Sequence, residues 1–564
     1  LMHRIDIGLK RKVPRIALSA TLGDMNLAAE FLRPHSSFGF ELVISKENTQ
    51  DLKVIIKGYL ALPAKSSDEE AANREDAKLE DITPQGELAI CDHLFKTLRG
   101  TNNLVFPNSR AKVESYSDML RRYCEREGLP NEFWPHHGSL AKEIREETEQ
   151  ALKSHERPAS AVCTTTLELG IDIGLVKSVA QIGPAPSVAS LRQRLGRSGR
   201  RKGEPAILRC YALEAEIKPD SGLSDLLREG LLQSIAQIHL LIAGWYEPPQ
   251  TKGMHLSTLI QQVLSLIAQY GGVTAADAWQ VLCGSGPFHA VSKQDFLVLL
   301  RALGSKDVLM QTDTGLLLHG GLGERLVNHY TFYAAFSSDA EFRVVCGGKA
   351  LGTLPLSQPV EPGSYIIFAG RRWQVELLDV DKKFIQVIPA AGGKVPKFDG
   401  GIGQVGDKVR EEMRQILAKA APVNFLDPAA SAFLAEARSH FNRLNLGSTK
   451  ILVTGNSIQL FFWSGDQVMN TIALMLRFKG LVAISEGLFV SIQHVTTAKL
   501  SEVVSALLAE PPIAPERLVA EVLNKQQGKW DWLLPDELLC RNYASLNLNV
   551  PGAYQVLLSM ASAK

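Results

Sequence analysis

QRLGRSGR, Gln193 to Arg200, sets three arginines, Arg194, Arg197 and Arg200, at every third position, with Gly196 and Gly199 between them. Cations in one stripe, with the gaps stripped of side chains, suit an anion lying close against a backbone. An arginine run is also a common solvated helix face, so the stretch is read with its neighbours. Upstream, LVFPNS, EFWPHHG, ASAVCTTT and VKSVAQIG are short apolar segments, and PAILRCYAL comes after the stripe. Between them lie AKVESYSDMLRRYCEREG, with Val113, Tyr116, Leu120 and Tyr123 on one helical face and Gly128 as its stop, and the charged SLAKEIREETEQALKS. Strands alternating with helices over about 130 residues predict a parallel α/β sheet.

Four loops come after predicted strands: PNSR (107–110), HHGSL (136–140), TTTLELGIDIG (164–174) and QRLGRSGR itself. Open α/β sheets bind ligands at that end. Each loop alone has an ordinary reading: HHG as a turn, LELGIDIG as strand-turn-strand. Their order and spacing carry more than any single one. His136 and His137 have no third ligand nearby in the sequence, so they are not read as a metal site.

The flanks extend this plan. VPRIALSA (13–20) reads as a buried strand entering a loop, and GDMNLAAEFLRP (23–34) as a helix stopped by Pro34. Residues 65–82 hold seven acids and three bases with almost nothing to bury, a solvated or disordered insertion. LSDLLREGLLQSIAQIHLLIAG reads as one long helix. Three helices (LSTLIQQVLSLIAQYGG, TAADAWQVLC, and SKQDFLVLLRALGSKD capped by Ser292) and the hairpin VLMQTDTGLLLHG come next, a winged-helix pattern. Residues 341–390 are strand-rich, a small barrel or sandwich. Hairpin KILVTGNSIQLFFWSG and helices DQVMNTIALMLRFKG and AKLSEVVSALLAE make a mixed end.

The chain has 564 residues, too many for one core, and its 45% apolar and 21% charged residues are ordinary for a globular protein. A net charge of +1 excludes a bulk basic field, so any nucleic-acid contact must come from local patches. Seven scattered cysteines with no CxxC argue against a zinc or disulfide framework and for a reducing, cytoplasmic setting. No apolar run reaches the ~20 residues of a membrane helix, so no membrane partner is expected.

The loop set resembles the second RecA-like domain of superfamily 2 helicases. SAT (Ser19, Ala20, Thr21) looks like their interdomain coupling motif, LVFPNSR like motif four, TTTLELGIDIG like motif five and QRLGRSGR like motif six. The order of the later segments, strengthened by LFFWSGDQVMNTIALML, is similar to the Lhr (large helicase-related) family, looser beyond residue 330. The resemblance implies residues 1–35 as the end of a first RecA-like domain and 36–215 as the second, with the acidic insertion. It then implies a connecting helix (216–250), a winged helix (251–330), a strand-rich domain (331–420) and an α+β C-terminal domain (421–564).

It also implies ATP in a cleft between two RecA-like domains, the first supplying P-loop and Mg²⁺ acid, the second positive charge. Arg197 and Arg200, sharing a helix face at i and i+3, are the expected arginine fingers. Gln193, Asp172 (on the ribose) and Gly170 are expected at the nucleotide. Arg194 is read there too, or as a structural ion pair. Asn108, Ser109, Arg110, Gly138, Ser139, Thr165 and Thr166 are expected to hold single-stranded DNA or RNA by its backbone. Arg371, Arg372 and Trp373, at a hairpin tip, are candidates for gripping and stacking a base, or a core tryptophan with solvated neighbours. A role in DNA repair is implied by the family alone.

One departure stands out. Neither GxxxxGK[ST] nor DExH precedes SAT, and DELL at 536–539 lies in a predicted C-terminal helix. ATP and Mg²⁺ are therefore expected only with an N-terminal RecA-like half, fused or separate. The chain is read as the C-terminal portion of an ATP-dependent helicase or translocase, inactive alone. The competing readings are a non-catalytic nucleic-acid-binding protein and a subunit completed by a P-loop partner.

Overall fold

The computed structural model describes residues 2–19, 21–32, 39–44, 51–63, 84–138, 142–154, 157–168, 173–199, 203–334, 341–347, 349–355, 362–363, 365–368, 371–380, 382–389, 404–520 and 522–562. The acidic insertion at 65–82 lies outside them. The main sheet has six strands: β1 (Leu52–Leu60), β2 (Asn103–Phe106), β3 (Phe133–His136), β4 (Ser160–Cys163), β5 (Ser178–Ile182) and β6 (Ala206–Glu214). Their order is β1-β6-β5-β2-β4-β3, and every pairing is parallel. β2, β4 and β5 are buried at every position. Helices cover both faces, which is why these strands read as continuous apolar runs. Helices Gln85–Leu98 and Arg110–Arg126 cover one face through Ile90, Leu94, Val113, Tyr116 and Leu120. Val188–Leu195 and Glu229–Ile242 cover the other, joined by Asp407–Ala418 and Pro428–Arg443. This parallel, two-sided arrangement fits a RecA-like domain.

Edge strand β1 has no counterpart in the sequence reading. It is pinned by residues far along the chain. Ile56 N donates to Phe425 O (2.7 Å) and Asp427 N to Ile56 O (2.9 Å). A Cβ at Gly58 would stand 2.7 Å from Ala430 N and 2.8 Å from Phe433 Cε2. Glycine is what lets helix Pro428–Arg443 rest on the strand. The two helices between 407 and 443 thus share the main core, and the boundary expected at 420 falls between them.

Two other expectations change. Residues 13–20 form no strand in their described part: Ile16 is 86% and Leu18 94% exposed. No described strand lies beside them, so their backbone has no ladder to join. The segment is held by side chains instead, with Asp6 accepting from Val13 N (2.8 Å) and Arg15 Nη2 (2.7 Å). The helix expected over LSDLLREGLLQSIAQIHLLIAG breaks into Leu223–Leu226 and Glu229–Ile242 at Arg228, whose φ is 52°. Its buried guanidinium meets Glu436 (2.6 Å) and lies 4.7 Å over the Phe433 ring. Those contacts offset the left-handed backbone.

Beyond residue 250 there are three further bodies. Helices Leu256–Tyr270, Ala275–Trp279 and Lys293–Ser305 pack with a three-stranded sheet whose hairpin turns at Gly315, φ 80°. The described strands between 341 and 389 form one five-stranded sheet around Phe342, Val344, Trp373, Val375, Ile385 and Val387. Strands Ile451–Thr454, Ser457–Leu460, Val482–Ser485 and Val490–Gln493 form a four-stranded antiparallel sheet. Helices Asp466–Phe478, Thr497–Ala509 and Val550–Ala561 cover it.

Candidate functional site

The arginine stripe is only partly helical. Its helix, Val188–Leu195, begins at Ser187, whose Oγ accepts from Ser190 N at 2.9 Å. A second cap comes from far away: the Glu247 carboxylate accepts from Val188 N (2.8 Å) and Ala189 N (2.9 Å). A carboxylate there also suits the helix dipole. The helix closes at Leu195 with Gly196 as its C-cap, and Gly199 has φ 66°. Arg194 is therefore the last arginine on the helix, and Arg197 sits on the turn beyond it. Arg197 is thus off the helix, where two glycines within four residues disfavour another turn. Arg200 lies outside the described residues, as do Ala20, Ser139, Gly170 and Asp172.

Arg194 is 1% exposed and engaged on every side. Its Nε donates to Glu168 Oε2 (2.9 Å), and Nη1 donates to Gln181 Oε1 (2.6 Å) and Asn108 Oδ1 (3.2 Å). Its guanidinium carbon stands 4.4 Å over the Phe106 ring. Burial lowers its pKa, opposed by the adjacent Glu168 carboxylate. Glu168 Oε2 also accepts from Ser190 Oγ at 2.8 Å. One cation thus ties together the loops after β2 and β4, strand β5 and its own helix. Arg197, 8% exposed, donates from Nε (3.2 Å) and Nη2 (2.9 Å) to the backbone oxygen of Glu168.

The helix face bearing Gln193 meets the amino-terminal segment. Gln193 Nε2 donates to Thr21 Oγ1 at 2.9 Å, and Thr21 N donates to the exposed Ser19 Oγ at 3.3 Å. A Cβ on Gly23 would lie 2.1 Å from Tyr246 O. Residues 21–23 are therefore pressed against the segment whose Glu247 caps the arginine helix.

The residues expected at nucleic acid divide. Arg110, Gly138 and Thr165 are exposed at the carboxyl ends of the strands. Ser109 uses its Oγ to cap helix Arg110–Arg126, accepting from Lys112 N at 3.2 Å. Asn108, at φ 66°, spends its side chain inward, its Nδ2 donating to Ile182 O (3.2 Å) and Pro184 O (2.6 Å). Thr166 shares a 2.7 Å hydrogen bond with Nδ1 of His136, which is 1% exposed and lowered in pKa chiefly by burial. Trp373 is 7% exposed within the five-stranded sheet's core. That burial suits the second of its two readings, a core tryptophan. Arg371 and Arg372 open strand Arg371–Asp379 beside it.

Sequence reasoning missed Glu168, Gln181 and Glu247. Glu168 stood inside a quoted motif, but nothing in its spacing pairs it with Arg194. Glu247 lies 59 residues beyond the amide it caps, with no local signal. Among the described residues no three His, Cys, Asp or Glu side chains group as a metal site, and no helix is long and apolar enough to cross a membrane.

Comparisons with known proteins agree with this geometry. Residues 86–202 match the helicase conserved C-terminal domain. The ATP-dependent helicase Lhr-Core of Methanothermobacter thermautotrophicus is 25% identical over 399 residues, covering 67% of this chain and 42% of that protein. The Lhr helicase/probable uracil glycosylase of Mycolicibacterium smegmatis is 28% identical over 444 residues, 69% of this chain and 27% of that protein. The solved structure of Mycobacterium smegmatis helicase Lhr bound to ssDNA and AMP-PNP superposes with a TM-score of 0.65 at 19% identity. That match covers 100% of this chain and 74% of the other. The sheet and its loops are those of a superfamily 2 helicase's C-terminal RecA-like domain. The chain is similar to Lhr helicases at 25% and 28% identity over about two thirds of its length. The chain spans less than half the length of these two curated relatives.

Proposed function

We propose that this chain is the C-terminal part of an ATP-dependent helicase or translocase acting on single-stranded DNA or RNA. Its work is to couple nucleotide turnover to movement of the strand. The observation that carries the reading is the 2.9 Å bond from Gln193 to Thr21. It ties the amino-terminal segment to the arginine motif, beside the Arg194–Glu168 network, at the sheet end where such folds bind ligands. The relatives' names, and the ssDNA and AMP-PNP held by the similar structure, support it.

In this reading ATP would supply the phosphoanhydride whose cleavage drives movement, with Mg²⁺ on acids of a P-loop half. The 564 residues carry no P-loop signature, so the chain alone is proposed not to hydrolyse ATP. Arg197 and Arg200 bring positive charge toward the nucleotide, with Gln193, Gly170 and Asp172 beside it. Arg194 acts as a positioning residue, since its charge is consumed within the domain. Arg110, Gly138, Ser139 and Thr165 hold the strand's backbone without reading bases. The three-helix body after residue 250 serves as a winged helix against that strand. Seven unpaired cysteines support a reducing, cytoplasmic setting.

The test uses the protein completed with a P-loop half. Thr21→Val should lower nucleic-acid-stimulated hydrolysis by about 10²-fold, the scale of a mispositioned catalytic group. Single-strand affinity without nucleotide should stay within a factor of two or so. Arg200→Ala should cost ~10³-fold or more. Normal hydrolysis in Thr21→Val, or lost strand affinity in Arg200→Ala, overturns the reading.

A further inference from the structure

The amino-terminal half of edge strand β1, with β6 beside it, carries a groove of about 480 Å³ that the loops at the carboxyl ends do not share. It is lined by Lys53, Ile55, Lys57 and His93, with Ile207 and Arg209 opposite. The register explains the grouping: Lys53 lies opposite Ile207, Ile55 opposite Arg209 and Lys57 opposite Tyr211. Alternate residues share a face, so Lys53, Lys57 and Arg209 point to the same side of the sheet. Helix Gln85–Leu98 lines that side too, through His93.

These cations are unbalanced. Among the described residues, none of the three side chains makes a hydrogen bond or ion pair, and Arg209 Nη1 is shielded from solvent with no partner. A shielded guanidinium nitrogen left unpaired is costly unless something comes to it. The nearby acids are occupied elsewhere. Asp92 is held by Lys96 at 2.8 Å, and Asp427 accepts from Ala430 N (2.8 Å) and Gly58 N (3.1 Å). His93 reports the local field. Its pKa is lowered first by burial, then by Lys57 and Arg209, against the opposing pull of Asp92 and Asp427.

We propose that this groove binds the phosphodiester backbone of a nucleic-acid arm separate from the strand at the carboxyl ends of the sheet. Shape selects a polymer over a lone phosphate. Lys53 and Lys57 are about 13 Å apart along the strand, with Arg209 about 5 Å across from the midpoint between them. That line spans about four base steps measured along a duplex axis, at ~3.4 Å of axis per phosphate of one strand. Arginine's planar fork and two lysine point charges suit a row of phosphates, and Ile55 and Ile207 offer no competing polar group. The proposal rests on the helicase reading only in taking nucleic acid as the ligand.

The experiment compares two labelled DNAs on the purified chain. One is a single strand of about eight nucleotides, enough for the first site. The other is a duplex with that strand as its tail. In Lys53→Gln/Lys57→Gln/Arg209→Gln, the slope of log affinity against log salt for the tailed duplex should fall by roughly 2–3. The short strand should bind within about twofold of wild type. Lys53→Gln/Lys57→Gln, which leaves Arg209 in place, should lower the slope by roughly 2, so the test survives if the triple variant fails to fold. An unchanged slope overturns the groove, as does equal weakening of both DNAs, which would make these cations part of one general field. Failure of the wild-type chain to bind the short strand would instead count against the helicase reading, while the duplex slopes still judge the groove.

Discussion

Arg194→Met separates the two readings of the central arginine. The substitution keeps an unbranched stem over the Phe106 ring and removes the charge. Glu168, whose side chain is 10% exposed, would keep Ser190 Oγ as a donor but lose its counter-ion. Gln181 Oε1 and Asn108 Oδ1 would lose the donor they share. Breaking a buried ion pair from one side costs about 3–5 kcal/mol, mostly because the survivor is left charged and buried. Adding Glu168→Gln removes that residual charge. The double variant should therefore recover about 1–3 kcal/mol relative to Arg194→Met, a coupling that a double-mutant cycle isolates.

A global unfolding free energy is ill-defined for so many packed bodies. The measurement is native-state hydrogen exchange, tracked in peptides covering β2, β4 and β5, where local opening free energies can be read. Arg194→Met should lower their protection by about 3 kcal/mol or more, leaving peptides of 256–270 and 466–478 unchanged. A fall under about 1 kcal/mol, or a double variant worse than the single, would refute the network as the arginine's main work. The nucleotide-contact reading would then regain its claim.

The same contacts predict two further outcomes. Glu247→Ala removes the distant cap on the arginine helix and should cost about 1–2 kcal/mol of protection in residues 188–195; unchanged exchange there would show that Ser187 caps it unaided. His136 is buried with its pKa lowered, so the unfolded chain binds the extra proton first. Its contribution is fully present above the unfolded value near 6.5, is lost as pH falls from there toward the folded value, and is flat below that. His136→Gln should flatten the pH dependence of exchange protection in peptides covering β3 and β4 as pH falls below about 6.5; an unchanged profile would assign that dependence to other histidines, such as His93 or His440.

How much of the fold is legible in the sequence depends on how local each cause is. β2, β4 and β5 are legible because a two-sided sheet demands unbroken apolar runs. β1, LKVIIKGYL, carries Lys53 and Lys57 among apolar residues because one of its faces is open at the sheet's edge, and that pattern alone resembles any surface strand. The break at Arg228 is invisible locally: arginine has no preference for φ 52°, and Glu436, 208 residues on, holds it there. The repeat of three in QRLGRSGR imitates a helix face, yet its glycines end the helix.

The candidate site shows the same division. Sequence marks the loops that gather at the carboxyl ends of the sheet, because residue type and order survive without coordinates. It does not tell a side chain that meets a ligand from one that holds the loop in place. Asn108, Arg194 and Thr166 have the chemistry of ligand contacts, and each spends its hydrogen bonds on another strand or loop of the same domain. Arg110 and Thr165, within two residues of such neighbours, stay exposed. An alternation of inward ties and outward donors gives a rigid edge with free charge, and preorganised groups of that kind act on a bound anion without further reorganisation. The inward set therefore decides how rigidly the edge is held and the outward set what it touches. Substitutions in the first should disturb stability and turnover together, and those in the second affinity alone.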